Sequence, residues 1–181
     1  MKTRAIAALV MGLLALAAPL AHAQTANGQS ETFVPLKLIE KAFERDDCTV
    51  PLKKAAASAE LAALGKRLKL VTISCWRAAY NFGSILFALD PADRDRARQL
   101  RFNIWNGKKF TSTYQLSNVD YDEKTGKLGS LHKGRGIGDC GSIGQWKWTG
   151  RNFKLTGYWF KEECDGTPFE DDKKWRVFPR R

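Results

Sequence analysis

Several motifs that announce metal, nucleotide or membrane chemistry are missing from this sequence. It has no C-x-x-C and no neighbouring Cys–His pair, which removes the usual basis for a zinc site. No Gly-Lys-Ser/Thr ending closes a glycine-rich run, so there is no Walker phosphate loop. After the first 20 residues no apolar run approaches the length of a bilayer span. Histidine is scarce, with only His22 and His132 present. Acidic side chains are also in short supply: 19 Asp and Glu face 30 Lys and Arg, a net charge of +11 over 181 residues.

What is there begins with an export signal. Lys2 and Arg4 give a short positive start, Ala5 to Ala18 is an uninterrupted apolar run, and Pro19 breaks it. Ala21-His22-Ala23 then supplies small residues at both cleavage-determining positions. The run is too short to remain as an anchor, and it has no polar face that would let it serve as a buried helix. Removing 23 of the 181 residues leaves 158, enough for one domain that buries about two thirds of its unfolded surface. Losing Lys2 and Arg4 takes the charge from +11 to +9. Nucleic acid, the usual partner of so basic a chain, is not expected outside the cytoplasm, where lipopolysaccharide phosphates, acidic glycans and acidic proteins are the available polyanions.

The cysteines agree with export. Cys48, Cys75, Cys140 and Cys164 are even in number, widely spaced and beyond the cleavage point. Of the three possible pairings, Cys48 with Cys75 and Cys140 with Cys164 joins neighbours in sequence. Each bridge would close a loop of about 25 residues, worth on the order of 3 kcal/mol in the chain-entropy estimate. No metal is expected.

Residues 24–34 read as a flexible polar leader, and residues 35–181 as a single β-rich domain. Leu36, Ile39, Ala42 and Phe43 fall at helical spacing behind Pro35. Leu52 to Leu64, rich in alanine, predicts a second helix stopped by Gly65. Strand patterns follow over Leu68–Cys75 and Ser84–Leu89, with a turn between them, and Pro91 to Arg98 reads as a charged loop or short helix. Asn106-Gly107 predicts a two-residue hairpin turn, and Thr149-Gly150 does the same duty 43 residues later. Two independent aromatic hairpins account for the likeness between these segments without a repeat fold. Asp120 to Gly126 has part of a calcium loop's carboxylate spacing but lacks the closing glutamate, so a hairpin turn is expected there. The fold class expected is α+β: a mostly antiparallel sheet or partly closed barrel with one or two N-terminal helices, held by disulfides.

Ser130 to Gly141 is the segment that stands apart. Gly134, Gly136, Gly138 and Gly141 occur within eight residues, with His132, Lys133 and Arg135 at their start and Cys140 just before the last. Gly136-x-Gly138-x-x-Gly141 matches the dinucleotide fingerprint by letter, but no helix pattern follows it, and no cofactor is expected. Successive amides of such a loop can form an anion-binding nest beside Arg135 and Lys133. The competing reading is a bulged turn in which Asp139 pairs with Arg135. His132, Ser130 and Asp139 are the residue types of a triad, yet their spacing gives no hydrogen-bond geometry. Of the six tryptophans, Trp146 and Trp148 share one side of a strand, which serves either as core or as a sugar platform.

Three segments together carry a family resemblance: Cys75-Trp76-Arg77-Ala78-Ala79-Tyr80-Asn81, Lys133-Gly134-Arg135-Gly136-Ile137-Gly138-Asp139-Cys140-Gly141, and Trp146-x-Trp148-x-Gly150-x-x-Phe153-x-Leu155. Over residues 36–178 the chain resembles the exported proteobacterial proteins of the domain of unknown function 1176 family. The resemblance implies export and a single domain, and brings no activity, cofactor or catalytic residue. The chain departs from the family's pattern at Ala78, where glycine is usual, and at Cys164-Asp165-Gly166, where an arginine usually follows the cysteine.

The leading functional expectation is a non-catalytic periplasmic or secreted binding module. His132, Lys133, Arg135 and Asp139 would contact an anionic envelope component, with Trp146 as a stacking surface. One alternative is a protein inhibitor of a secreted hydrolase that inserts the rigid loop, an acidic target suiting its charge. A further alternative is a small hydrolase using His132.

Overall fold

The computed structural model describes residues 33–169 and 173–179. The expected export signal and all but the end of the expected leader lie outside that range. Val34, the last leader residue, is buried at 1% exposure against the helices.

The chain forms α1 (Leu36–Arg45), α2 (Leu52–Ala57), β1 (Glu60–Leu64), β2 (Leu68–Arg77), β3 (Phe82–Asp90), β4 (Asp93–Gln99), β5 (Phe102–Trp105) and β6 (Phe110–Thr113). These are followed by β7 (Gln115–Ser117), β8 (Val119–Asp122), β9 (Lys127–Lys133), β10 (Gly141–Trp148), β11 (Phe153–Lys161), a 3-10 turn at Lys173–Trp175 and β12 (Arg176–Phe178). One sheet runs β1-β2-β3-β4, with β7 sharing the outer edge of β3. A second runs β12-β11-β10-β9-β8, and β5 pairs with β6 alone. All pairings are antiparallel. The sheets do not close into a barrel.

Strand periodicity explains the layering. On β2 and β3 the residues Val71, Ile73, Cys75, Ile85, Phe87 and Leu89 face α1 and α2, where Ile39, Ala42, Phe43, Ala55 and Ala56 meet them. The alternate residues Leu70, Leu86 and Ala88 face the second sheet and meet Leu128, Trp146, Phe153 and Tyr158. β3 is therefore covered on both sides and buried from Gly83 to Leu89. Each fully buried Leu, Ile or Phe is worth about 1.5–3 kcal/mol. The Cys48–Cys75 disulfide, Cα–Cα 4.5 Å, ties the connection between α1 and α2 to β2. With a sequence separation of 27, it is worth roughly 3.5 kcal/mol in the chain-entropy estimate.

Four segments differ from the sequence reading. The second helix ends at Ala57, because Glu60–Leu64 pairs with β2 instead. Gly65 makes the turn of that hairpin at φ 69° rather than capping a helix. Alanine's helix preference, a few tenths of a kcal/mol per residue, loses to ladder bonds and to burial of Leu64. Asp93–Gln99 is a strand, not a loop or helix, since the edge of β3 offers it a partner. The turns at Asn106 and Thr149 hold four residues, not two: Trp105 pairs with Phe110, and Trp148 with Phe153. Gly126, at φ 64°, closes the β8–β9 hairpin as expected.

Tryptophan rings lie over glycines at three places in the sheets. A methyl group on Gly83 would fall 2.1 Å from the ring of Trp76, on Gly144 2.1 Å from Trp146, and on Gly157 2.4 Å from Trp159. Trp146 and Trp159 are almost fully buried, so their rings have nowhere to retreat. Gly144→Ala is expected to lower unfolding free energy by about 1–3 kcal/mol through overpacking, read from urea denaturation with an unchanged m-value.

Candidate functional site

β9 and β10 are joined by residues 134–140, and nearly every constraint on that loop comes from an identifiable group. At its base Gly134 donates its N–H to the Cys140 carbonyl (2.9 Å), and Gly138 donates to the Arg135 carbonyl (2.9 Å), which folds residues 135–138 into a turn. Gly138 has φ 72°, with the Lys133 stem packed against its α-carbon side. Gly134 leaves room for the Cys140–Cys164 disulfide, since a methyl there would sit 2.6 Å from the Cys140 sulfur. That disulfide, Cα–Cα 4.9 Å, fastens the loop to the segment after β11.

Two asparagines hold the loop from the other sheet. Asn81, 5% exposed, behaves as an extra strand residue: its Nδ2 donates to the Lys133 carbonyl (2.8 Å), and its Oδ1 accepts from the Lys133 N–H (3.0 Å). Asn118 sits where the chain passes from β7 in one sheet to β8 in the other, at φ 45°. Its Nδ2 donates to Asn81 Oδ1 (2.9 Å) and to the Leu131 carbonyl (2.9 Å), and its Oδ1 accepts from the Phe82 N–H (3.0 Å). Tyr80 adds a hydroxyl bond to the Gly134 carbonyl (3.2 Å).

The charges of the loop are settled internally. Arg135 meets Asp139 with two hydrogen bonds, Nε to Oδ1 at 2.7 Å and Nη2 to Oδ2 at 2.5 Å. Asp139, 4% exposed, also accepts the Gly166 N–H (2.6 Å). The Arg135 guanidinium, ahead of the Gly166 amide, lowers the Asp139 carboxyl to about 2 against the opposing pull of burial. Asp165 binds the buried Lys161 ammonium at 2.5 Å, and Thr167 supplies that ammonium with two more acceptors. The Lys161 and Thr167 bonds hold the Asp165 carboxyl well below its ordinary range.

The residues singled out from sequence therefore divide. Arg135 and Asp139 come together as a pair. Lys133 is half-buried along Gly138 and carries no carboxylate partner among the described residues. His132 lies outside this pair: its Nδ1 meets the Ser117 hydroxyl at 3.0 Å, and desolvation lowers its pKa, so the ring favours the neutral form. Ser130 instead donates to the Ser117 carbonyl (2.9 Å). Ser130, His132 and Asp139 do not assemble as a triad. Trp146 is 1% exposed in the core and offers no open ring face for stacking, while Trp76, Trp105, Trp148 and Trp175 are part-buried. Asp139, Cys140 and Cys164 place ligand atoms within 4.8 Å of one another, but both sulfurs belong to the disulfide and offer no thiolate. Sequence reasoning passed over Asn81, Asn118 and Ser117, which look like ordinary turn and strand residues, and Ile137, whose 73% exposure at the loop tip only the fold reveals.

A family model described as a protein of unknown function (DUF1176) matches residues 6–179. The chain belongs to this family. Among curated proteins, the uncharacterized protein YpfG of Escherichia coli (strain K12) is 33% identical over 97 residues, which make up 53% of this chain and 28% of that protein. The chain thus matches well under a third of that relative's length. No solved structure matches.

In this DUF1176 chain the Arg135–Asp139–Gly166 corner makes stability depend on acid. The Asp139 carboxyl is lower in the folded chain than its unfolded value of roughly 4, so its contribution is complete above that pH and drains away as pH falls toward 2. Asp165 shifts in the same direction. The melting temperature of the parent should drop between pH 4 and 2, and Asp139→Asn should be less stable at neutral pH with a flatter decline. Parallel decline in both proteins would contradict the assignment.

Proposed function

We propose that the chain is an exported, non-catalytic binding protein that docks onto an acidic protein partner through the loop of residues 134–140. The export pattern of the first 23 residues and two disulfides support a working place in an oxidising compartment. Among the described residues no helix is long and apolar enough to cross a membrane.

One observation carries the choice of partner. The loop is fastened at both ends by hydrogen bonds and a disulfide, its arginine is neutralised by its own aspartate, and its tip presents an isoleucine at 73% exposure. Tyr80, itself 36% exposed, lies against the neighbouring Gly136. An exposed aliphatic side chain on a preorganised loop loses little conformational entropy on docking, which is where rigid inserting loops gain affinity. The net charge of +11, or +9 after removal of the signal, favours encounter with an acidic surface. An inhibitor of a secreted acidic hydrolase is the form of this reading with the most specific chemistry.

Binding of an anionic envelope polymer by the loop has less support, because Arg135 already holds Asp139 and His132 favours its neutral form. Lys133 alone remains as a cation there. The two readings separate in retention experiments with exported extracts, lipopolysaccharide and peptidoglycan. Ile137→Asp should abolish capture of one protein partner that the parent retains, while Lys133→Ala reduces it only a few-fold. Retention on polymer, lost with Lys133→Ala and indifferent to Ile137→Asp, would overturn protein docking.

A further inference from the structure

A second concavity, apart from the loop, lies where β4 and the start of β5 face the β10–β11 hairpin. It encloses about 450 Å³ and has Trp146, Phe153 and Leu155 among its walls. That volume falls in the range of small-molecule sites. Its polar lining comes from Arg98, Gln99, Arg101, Asn103, Tyr114 and Asn152, and no carboxylate is among the lining groups.

The two arginines differ from Arg135 in having no acidic partner among the described residues. Arg98 pairs with Ala88 across the ladder and so shares the face that looks between the sheets. Its Nη1 donates to Asn152 Oδ1 at 3.0 Å and its Nη2 to the Arg151 carbonyl, both neutral acceptors on the hairpin turn. These bonds orient the guanidinium without neutralising it. Arg101 has no hydrogen bond or ion pair among the described residues. The nearby carboxylate of Asp46 is already engaged, by Arg45 at 2.8 and 3.0 Å and by Gln99 at 2.7 Å. The same Arg45 stacks 3.8 Å over Tyr114 and fixes that wall. The indole N–H of Trp146, like that of Trp159, is buried without a hydrogen-bond partner, and its resonance reports on the wall of the cleft.

We propose that this cleft binds a small acidic sugar, its carboxylate or phosphate held between Arg98 and Arg101 and its hydroxyls by Asn103, Asn152 and Tyr114. A guanidinium fork matches either oxyanion in two-point geometry. The amides and the phenol both donate and accept, as ring hydroxyls require. The site stands independently of protein docking by the loop.

Titration of the full exported chain by calorimetry and by ¹H–¹⁵N NMR of the tryptophan indoles tests this, with glucuronate, glucose 6-phosphate and glucose as probes. Glucuronate, glucose 6-phosphate or both should bind and shift the Trp146 indole resonance, with the stronger of the two identifying the oxyanion. Neutral glucose should do so at least tenfold more weakly. Arg101→Ala should weaken the acidic probe tenfold or more, Arg101→Lys less, and Ile137→Asp not at all. Because Arg101 is exposed and has no hydrogen bond or ion pair among the described residues, its variants should fold normally, which their NMR spectra would verify. Failure of both acidic probes to bind, equal binding of glucose, or undiminished binding by Arg101→Ala would overturn the proposal.

Discussion

Burial of β3 on both faces is the constraint from which the architecture follows. A strand covered on one side needs a partner layer only there; this one, apolar from Ile85 to Leu89 without interruption, needs two. The helices supply one cover and the second sheet the other, so removing either layer exposes Phe87 or Leu86 to water. The outer edge of β3 is shared by β4 and β7, and those two strands lead to the two places where chemistry gathers. Through β7 the chain turns at Asn118 into the sheet that carries the glycine-rich loop. Beyond β4 it turns at Leu100 into the wall of the arginine cleft.

Much of this was legible from residue patterns, and for physical reasons. The amphipathic spacing around Ile39 and Phe43, the strand runs over Leu68–Cys75 and Ser84–Leu89, and the pairing of near-neighbour cysteines all depend on local periodicity or short loops. The errors fell where tertiary contacts outweigh local preference. Ala62 and Ala63 favour helix in isolation, yet they pair with Leu70 and Lys69 because an open strand edge lay beside them. Arg94-x-Arg96-x-Arg98-x-Leu100 reads as a solvated charge run until β3 is known to lie beside it. The alternation is then a strand edge that sends Arg98 between the sheets.

The candidate sites divide along the same line. Sequence singled out the glycine-rich loop and anticipated its two competing states, but only the fold shows that Arg135 is claimed by Asp139 and that Ile137 is what the loop presents. It placed Trp146 among contact residues, whereas the ring is wedged over Gly144 inside the core. The arginine cleft escaped notice because its parts come from five separate stretches of chain, and no spacing rule connects Arg98 with Asn152. A buried or bridging role is a property of the fold, and single residues do not advertise it.

The tryptophan–glycine contacts carry a meaning for descent as well as for packing. Each ring occupies the volume that any other residue's β-carbon would claim, so neither member of the pair can drift independently. Among relatives of this chain, the partners at 83 and 76, 144 and 146, and 157 and 159 should be inherited jointly or replaced jointly, with a smaller ring arriving alongside any side chain that grows in the glycine's place.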